Sequence, residues 1–445
     1  MDDLRQATRL DAIGGSFDPW LLGCSIALAC LGVVMVGSAA VAGAGMDVGP
    51  WYFLSRHVMF LAAGLALAGL LMRTELKFIE QRNQLLLLAC FALLLLVFVP
   101  GIGRTVNGAQ RWINLGVSNF QAVEAVKLLY IVWLASYLKR YSEDVAATWP
   151  AMLKPLGVGV LLVGLLLMQP DFGSSTLLLA ITAGMLVLGG VNMPRMFGPV
   201  LVGLTGMAVI AIAEPYRVRR MTSFLDPWAD QLGSGYQLSN ALMAVGRGEW
   251  FGVGLGASVQ KLSYLPEAHT DFIMAVIAEE LGFAGVCLVV GLYVLLVGRA
   301  FWLGLQCVEM RRHFAGYCAF GIALWMGLQS LVSIGVNLGL LPTKGLTLPL
   351  ISSGGSSVLM TCAALGLLLR VSYEYDRAAR QVAKLRGVAS GPSVGSVPQT
   401  SQPPLVSDAG SRGTSRLRQR VEPSLGARDV VAQDSAALSA SRRSR

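Results

Sequence analysis

The residues best placed to do chemistry are carboxylates set beside cations at the edges of long apolar runs. Asp271 ends the polar stretch Tyr264-Leu-Pro266-Glu267-Ala-His269-Thr270-Asp271, and an apolar run begins directly after it. A carboxylate in that position could serve as a general base, with nearby Arg or Lys side chains holding an anionic group. Arg217, Arg219, Arg220 and Lys261 precede it in the same segment. Glu267, His269 and Asp271 could also share one divalent cation, and snorkelling or helix capping would account for Asp271 without any chemistry. Glu279 and Glu280 follow roughly 12–14 Å deeper at 1.5 Å per residue. At that depth a carboxylate requires a polar cavity or a cationic partner, and a buried salt bridge is the plainer account.

Three further blocks carry polar groups. Gly101 to Trp112 leads into Gln121, Glu124 and Lys127. Glu124 and Lys127 stand at i,i+3 on one helical face and could neutralise each other, as a purely structural pair would. Asn107, Arg111 and Trp112 offer donors and a ring that suit a phosphate or a sugar, and equally an interfacial anchor. In Gln169-Pro170-Asp171-Phe172-Gly173, the aspartate reads as a plain N-cap. From Asn337 to Ser357, apolar residues alternate with Pro342, Lys344, Gly345, Pro349, Ser352 and Gly354. In a membrane this is partly unwound backbone lining a protein cavity, and Lys344 would be a mobile point charge for phosphate. Gly252-x-Gly254-x-Gly256 only superficially resembles a dinucleotide fingerprint, because no recognisable strand precedes it. Those glycines read instead as places where backbone lies close to a ligand.

The elements that must position these groups are membrane helices. Of 445 residues, 54% are hydrophobic and 14% charged, with a mean hydropathy of +0.61; soluble domains carry about 25% charge. Ten apolar runs approach the roughly 20 residues a span needs, at 20–41, 52–72, 84–100, 121–138, 152–168, 173–190, 196–213, 272–298, 316–337 and 355–372. The first has no small-residue cleavage site after it and reads as a retained helix. Basic residues concentrate in alternate short loops, at Arg73/Lys77/Arg82, Lys139/Arg140/Lys154, Arg195 and Arg299/Arg311/Arg312. Placing these in the cytoplasm satisfies the positive-inside rule, leaves both termini cytoplasmic and turns the 58-residue segment 214–271 outward. The expected fold is therefore an all-α integral membrane bundle of ten helices, residues 20–372, with a large outer loop between the seventh and eighth. An N-terminal segment 1–19 and a tail 373–445 complete the chain. The formal charge of +9 is concentrated in that tail, which holds 12 basic and 4 acidic residues from Arg377 onward. Its Ser, Pro, Gly and Arg-rich composition predicts disorder from about residue 387, and its charge says nothing about nucleic acid at a folded site. Seven single cysteines and three well-separated histidines suggest neither a disulfide framework nor a metal cluster.

Alone, this pattern fits an enzyme acting on a lipid-linked polar substrate and, almost as well, a transporter. The blocks VNGAQRW (106–112), QPDFG (169–173), RVRRMTSFLDPWAD (217–230), GSGYQLSNAL (233–242), GVGLGASVQKLSYLPEAHTDFI (252–273), EELG (279–282) and VNLGLLPTKGLTLPLISSGGSS (336–357) closely resemble the SEDS (shape, elongation, division and sporulation) family of bacterial cell-wall polymerases. DPWAD and Glu267-Ala268 are closer to its cell-division branch than to its elongation branch. Two departures are Gln121-Ala122-Val123-Glu124, lacking the family's common proline, and Ser352-Ser353-Gly354-Gly355, lacking its frequent tyrosine.

The resemblance implies a peptidoglycan glycosyltransferase that polymerises lipid II into β-1,4-linked glycan, on the periplasmic face of the inner membrane at the division septum. A lipid II flippase or an elongation-type polymerase is the alternative. It makes Asp271 the general base, or the ligand of a divalent cation (Mg²⁺ or Mn²⁺) that helps bind diphosphate. Arg217, Arg219, Lys261 and Lys344 become candidates to offset diphosphate charge, and Asn107, Arg111 and Ser352 further substrate contacts. Glu124, Lys127, Asp171, Glu267, His269 and Glu280 become structural or activating residues. The partners implied are lipid II, a class B penicillin-binding protein transpeptidase and other divisome proteins, with no nucleic acid.

Overall fold

The computed structural model describes residues 14–41, 51–106, 108–114, 116, 118–262, 265–343 and 345–389. Asn107, Lys344 and the tail from 390 onward lie outside the described residues. In chain order the elements are α1 (Pro19–Val41), α2 (Tyr52–Arg73), α3 (Leu76–Gln81), α4 (Asn83–Leu96), β1 (Gly103–Val106), β2 (Ala109–Asn114), β3 (Asn119–Gln121), α5 (Ala122–Ala147), α6 (Trp149–Met168), α7 (Phe172–Leu188), α8 (Met193–Ala213), α9 (Pro215–Leu225), α10 (Tyr236–Gly248), α11 (Ile273–Glu309), α12 (His313–Asn337) and α13 (Gly355–Ala389). Each of the ten apolar runs coincides with one of these helices. Seven of them, α1, α2, α6, α8, α11, α12 and α13, are long and apolar enough to cross a membrane. Helices α4 and α7 are apolar but shorter, and α5 is long but carries Glu124, Lys127 and a charged final third.

The structure departs from the all-α expectation in two places. Residues 103–121 form a three-stranded antiparallel sheet, order β1-β2-β3. Val106 pairs with Ala109 across Asn-Gly, the strongest two-residue hairpin signal, and Gly108 takes the positive φ (76°) that such a turn demands. The outer segment 214–271 also holds two helices, α9 and α10, both amphipathic, with Pro215 preset for the first turn of α9.

A third difference bears directly on function. The run expected as one eighth helix is broken at Gly282, whose φ of 66° and ψ of −164° are open only to glycine. The extended chain 249–254 lies against the break. Val253 N–H donates to Glu279 O (3.0 Å), Gly254 N–H to Glu280 O (3.1 Å), Phe283 N–H to Glu249 O (2.9 Å) and Ala284 N–H to Trp250 O (3.1 Å). A Cβ on Gly252 would stand 2.1 Å from Glu280 O, so at this position the glycine lets the chain lie against helix backbone, whereas Gly254 and Gly256 have nothing within 4 Å of an added Cβ. The break turns residues 273–281 into a short half-helix, almost wholly buried, with Asp271 just before its N-terminal end and Glu279-Glu280 near its C-terminal end.

Helices α5, α12 and α13 are heavily buried, with Trp325, Tyr130, Ile131 and Lys127 fully buried on the first two. Close contact between α2 and α13 depends on small residues, since a Cβ on Gly366 would stand 2.6 Å from Ala68 Cα. The seven cysteines are free, and five of them are buried like the small apolar residues they replace.

Candidate active site

Asp271 is half-buried, and its backbone is fixed on several sides. Its N–H donates to Glu267 O (3.1 Å), as do those of Thr270 and Phe272, so a tight turn precedes the half-helix. Asn337, at the end of α12, donates from Nδ2 to Asp271 O (2.8 Å) and accepts at Oδ1 from Ala275 N–H (3.0 Å). Ser352 Oγ donates to Thr270 O (2.6 Å) and accepts from Leu348 N–H (2.8 Å), while Ser353 N–H donates to His269 O (2.9 Å). The segment 337–357 thus acts as a brace around residues 269–271. Ser352, expected as a substrate contact, is buried with its hydroxyl engaged on both sides.

The side chain, in contrast, makes no hydrogen bond among the described residues. Burial pushes the Asp271 carboxyl up to about 7, and the Glu267 charge adds to the rise; Arg220 and then Arg111 pull the other way. Arg220 lies on α9 and also donates to Thr343 O (3.4 Å). Arg111 projects from β2 and donates to the carbonyls of Gln169 (3.1 Å) and Pro170, pinning the hairpin to the turn before α7. Asp171 in that turn caps α7, accepting from Ser174 N–H (3.1 Å) and Ser174 Oγ (2.8 Å), as the capping account requires.

Of the two arginines expected at the diphosphate, Arg217 turns back to Ile210 O (2.8 Å) and lies over the Phe172 ring. Arg219 is exposed. Within the 217–220 cluster, the arginine whose charge reaches Asp271 is Arg220. The 217/220 spacing on a helix would have signalled a shared face, but no helix was expected in this segment.

Glu267, His269 and Asp271 do not assemble a metal site. The His269 ring packs against Phe53, centroids 4.1 Å apart, and burial holds its pKa below the usual value. Glu267 Oε2 accepts from Thr270 Oγ1 (2.7 Å). Among the described residues no group of three or more His, Cys, Asp or Glu could hold an ion, so the trio does not by itself form a cation site.

With this geometry in place, three comparisons bear on the chain. A family model described as "Cell cycle protein", covering FtsW, RodA and SpoVE, matches residues 19–377. The chain belongs to the FtsW/RodA/SpoVE family. A relative from Xanthomonas oryzae pv. oryzae is 63% identical, over 96% of this chain and 93% of its own length. A relative from Coxiella burnetii is 48% identical over 82% of this chain and 98% of its own. Both carry the name "Probable peptidoglycan glycosyltransferase FtsW". Among solved structures, a chain described under "Structural coordination of polymerization and crosslinking by a peptidoglycan synthase complex" superposes with a TM-score of 0.66 at 34% identity, over 81% of this chain and 98% of that one. The Thermus thermophilus rod shape determining protein RodA superposes with a TM-score of 0.59 at 30% identity, over 81% and 97%.

Two buried charge networks frame the site of this family member. Lys127 Nζ donates to Glu124 Oε1 (2.9 Å) and Gln329 Oε1 (2.7 Å). Gln329 in turn accepts from Trp325 Nε1 (2.7 Å) and donates to Thr347 O (2.8 Å), joining α5 and α12 to the brace. The second network lies at the C-terminal end of the half-helix. There Lys261 Nζ donates to Glu280 Oε1 (2.7 Å), and Arg247 to Glu279 Oε1 (3.1 Å). Lys261, expected at the diphosphate, is only 3% exposed at its side chain and has its charge on Glu280. The sequence reading did not weigh Ser38 or Asn337 as site residues. Single polar residues in apolar helices carry no motif, and their partners lie 242 and 66 residues away.

Proposed function

We infer that the protein is a peptidoglycan glycosyltransferase that polymerises lipid II during septal wall synthesis. The family match and the identity to relatives named for that activity support it. The observation that carries the chemistry is Asp271, a half-buried carboxyl pushed up to about 7 beside Arg220 and Arg111. A base with a pKa near the working pH combines a useful ionised fraction with real proton affinity.

In the proposed reaction, the 4-hydroxyl oxygen of the acceptor GlcNAc bonds to the anomeric carbon of the donor MurNAc. The hydroxyl proton passes to an Asp271 carboxylate oxygen. The bond from the anomeric carbon to the diphosphate oxygen breaks, and undecaprenyl diphosphate leaves with the electron pair. Inversion at the anomeric carbon gives the β-1,4 link. Arg220 is the nearest described candidate to offset the diphosphate charge, with Lys344 a further one by sequence. In the alternative role, with Asp271 holding a Mg²⁺ or Mn²⁺ ion instead of taking the proton, the ion would supply further charge neutralisation at the diphosphate. Magnesium commonly binds through one or two carboxylates plus phosphates.

The topology that goes with this reading has ten crossings, both termini in the cytoplasm and Asp271 facing the periplasm. The alternating basic loops support it. A class B penicillin-binding protein is the proposed partner, supplying the crosslinking that follows polymerisation. The test is polymerisation of labelled lipid II by the purified protein with its cognate transpeptidase and Mn²⁺ or Mg²⁺. Wild type and Asp271→Asn run side by side, with moenomycin present to silence contaminating polymerases. Glycan ladders from wild type alone are the expected result. Ladders from both would remove Asp271 from the chemistry, and none from either folded complex would favour transport of lipid II.

A further inference from the structure

The half-helix 273–281 is held at both ends. Two adjacent carboxylates, Glu279 and Glu280, are fully buried. Burying charges costs several kcal/mol per ion unless geometry and hydrogen bonds are both good, and here each carboxylate is met by several donors. Glu280 accepts from Lys261 Nζ (2.7 Å) and from Ser38 Oγ at both oxygens (2.7 Å each), while Lys261 Nζ also reaches Ser38 Oγ (3.0 Å). Glu279 accepts from Arg247 (3.1 Å), from Val259 N–H (3.0 Å) and from Ser258 Oγ (2.5 Å).

Ser258, Val259 and Lys261 come from the segment between α10 and Asp271, Arg247 from the last turn of α10, and Ser38 from α1. The segment is therefore tied to the C-terminal end of the half-helix at 258–261, and ten residues later it delivers Asp271 to the N-terminal end. Because Gly282 uncouples the half-helix from the rest of α11, the orientation of residues 273–281 is not inherited from the long helix. It is set by Asn337 at one end and, at the other, by the glutamate side-chain clamp together with the backbone bonds from Val253 and Gly254 to the Glu279 and Glu280 carbonyls.

We propose that Glu280, through its ion pair with Lys261 and their shared contact with Ser38, is a positioning residue for Asp271 in glycosyl transfer. The pair fixes the segment 258–272 against α1 and the half-helix, so that the carboxylate stands where the acceptor hydroxyl arrives. This rests on the role given to Asp271 above. Breaking the pair moves the base without removing any group that binds substrate. Turnover therefore falls while apparent affinity for lipid II stays close to wild type.

The experiment uses the full chain with its transpeptidase partner. Glu280→Gln, Lys261→Met and the charge swap Glu280→Lys with Lys261→Glu are compared for turnover and KM per folded protein. The expected result is a loss of at least about tenfold in kcat for each single variant, with KM within about threefold, and recovery of most of that loss in the swap. The serine hydroxyl can both donate and accept, so it serves the pair in either polarity. Folded single variants with wild-type turnover would overturn the proposal, as would a folded swap no better than the singles. Should the singles fail to fold, Ser38→Ala decides: a reduced kcat at unchanged KM supports the clamp, and wild-type turnover overturns it.

A second readout does not depend on Asp271 being the base. Asp271→Cys, in a chain with Cys30 and Cys287 replaced by Ser, is labelled with a membrane-impermeant maleimide, with and without Glu280→Gln and with the swap. A labelling rate at 271 that changes about threefold or more on breaking the pair, and returns in the swap, supports positioning; an unchanged rate overturns it. If the rate shifts while Asp271→Asn still makes glycan, the positioning stands and the role given to Asp271 falls.

Discussion

Asn337 grips Asp271 by the backbone, donating to its carbonyl at 2.8 Å while accepting from Ala275 N–H at 3.0 Å. One fully buried amide at the end of α12 thus spans the start of the half-helix and fixes the direction in which the Asp271 carboxyl leaves the chain. The same Nδ2 also donates to Ser333 O (2.8 Å), which locks the amide against its own helix.

Asn337→Asp is the sharpest test of that grip. The new side chain keeps an acceptor for Ala275 N–H but loses both donor hydrogens, setting carboxyl oxygens against the carbonyls of Asp271 and Ser333. The expected outcome is at least about a tenfold fall in lipid II polymerisation, together with about 1–3 kcal/mol of lost stability from unsatisfied buried groups. Polymerisation assays and thermal unfolding in detergent measure the two effects separately.

The pH profile follows from the sign of the Asp271 shift. A general base works ionised, so kcat/KM should rise with pH along an acid limb centred on about 7, where an ordinary carboxylate would already be ionised by pH 5. Arg220 and Arg111 favour the ionised form and Glu267 opposes it. Arg220→Gln should therefore move the limb to higher pH and Glu267→Gln to lower pH. Rates measured from pH 5.5 to 9 check both directions, and a limb that ignores both variants would exclude Asp271 as its source.

The Glu124–Lys127 pair makes a prediction about stability. Lys127 is fully buried, and Glu124 has one oxygen on Lys127 while its other, Oε2, is buried with no hydrogen-bond partner. Lys127→Met leaves that carboxylate buried with no cation, at an expected cost of about 3–5 kcal/mol. The double variant Glu124→Gln with Lys127→Met removes both charges and should recover much of the loss. Thermal unfolding of the single and double variants gives the coupling energy directly.

Helix placement and the polar blocks were largely legible in the sequence, because both depend on local patterns. Apolar runs of span length locate helices, and Asp171 beside a helix start reads correctly as a cap. The sheet at 103–121 was missed although Asn107-Gly108 signalled it, because a membrane chain invited a purely helical reading. What could not be read were pairings over long separations. Lys261 looked like a diphosphate ligand by its position in a polar loop, and only the folded chain brings Glu280 and Ser38 to it. Gly282, one of several glycines in the run that follows Glu279-Glu280, gave no sign that its φ would be positive.

Gly282 is also the position where one methyl group should do most harm. An added Cβ would lie 2.4 Å from Gly252 N and 2.6 Å from Phe251 N, backbone atoms of the segment whose flanking residues make the hydrogen bonds across the break. The positive φ adds strain for any other residue. Gly282→Ala must therefore either straighten α11 or push the chain 249–254 away, and each response carries Glu279 and Glu280 out of register with Arg247 and Lys261. The expected result is a folded fraction well below wild type, with the remainder polymerising poorly. Gly291 lies in the same helix with nothing within 4 Å of an added Cβ, so Gly291→Ala should leave both yield and activity close to wild type. Size-exclusion yield and glycan ladders from the two alanine variants, measured in parallel, separate a requirement for the break at Gly282 from a general intolerance of side chains in α11.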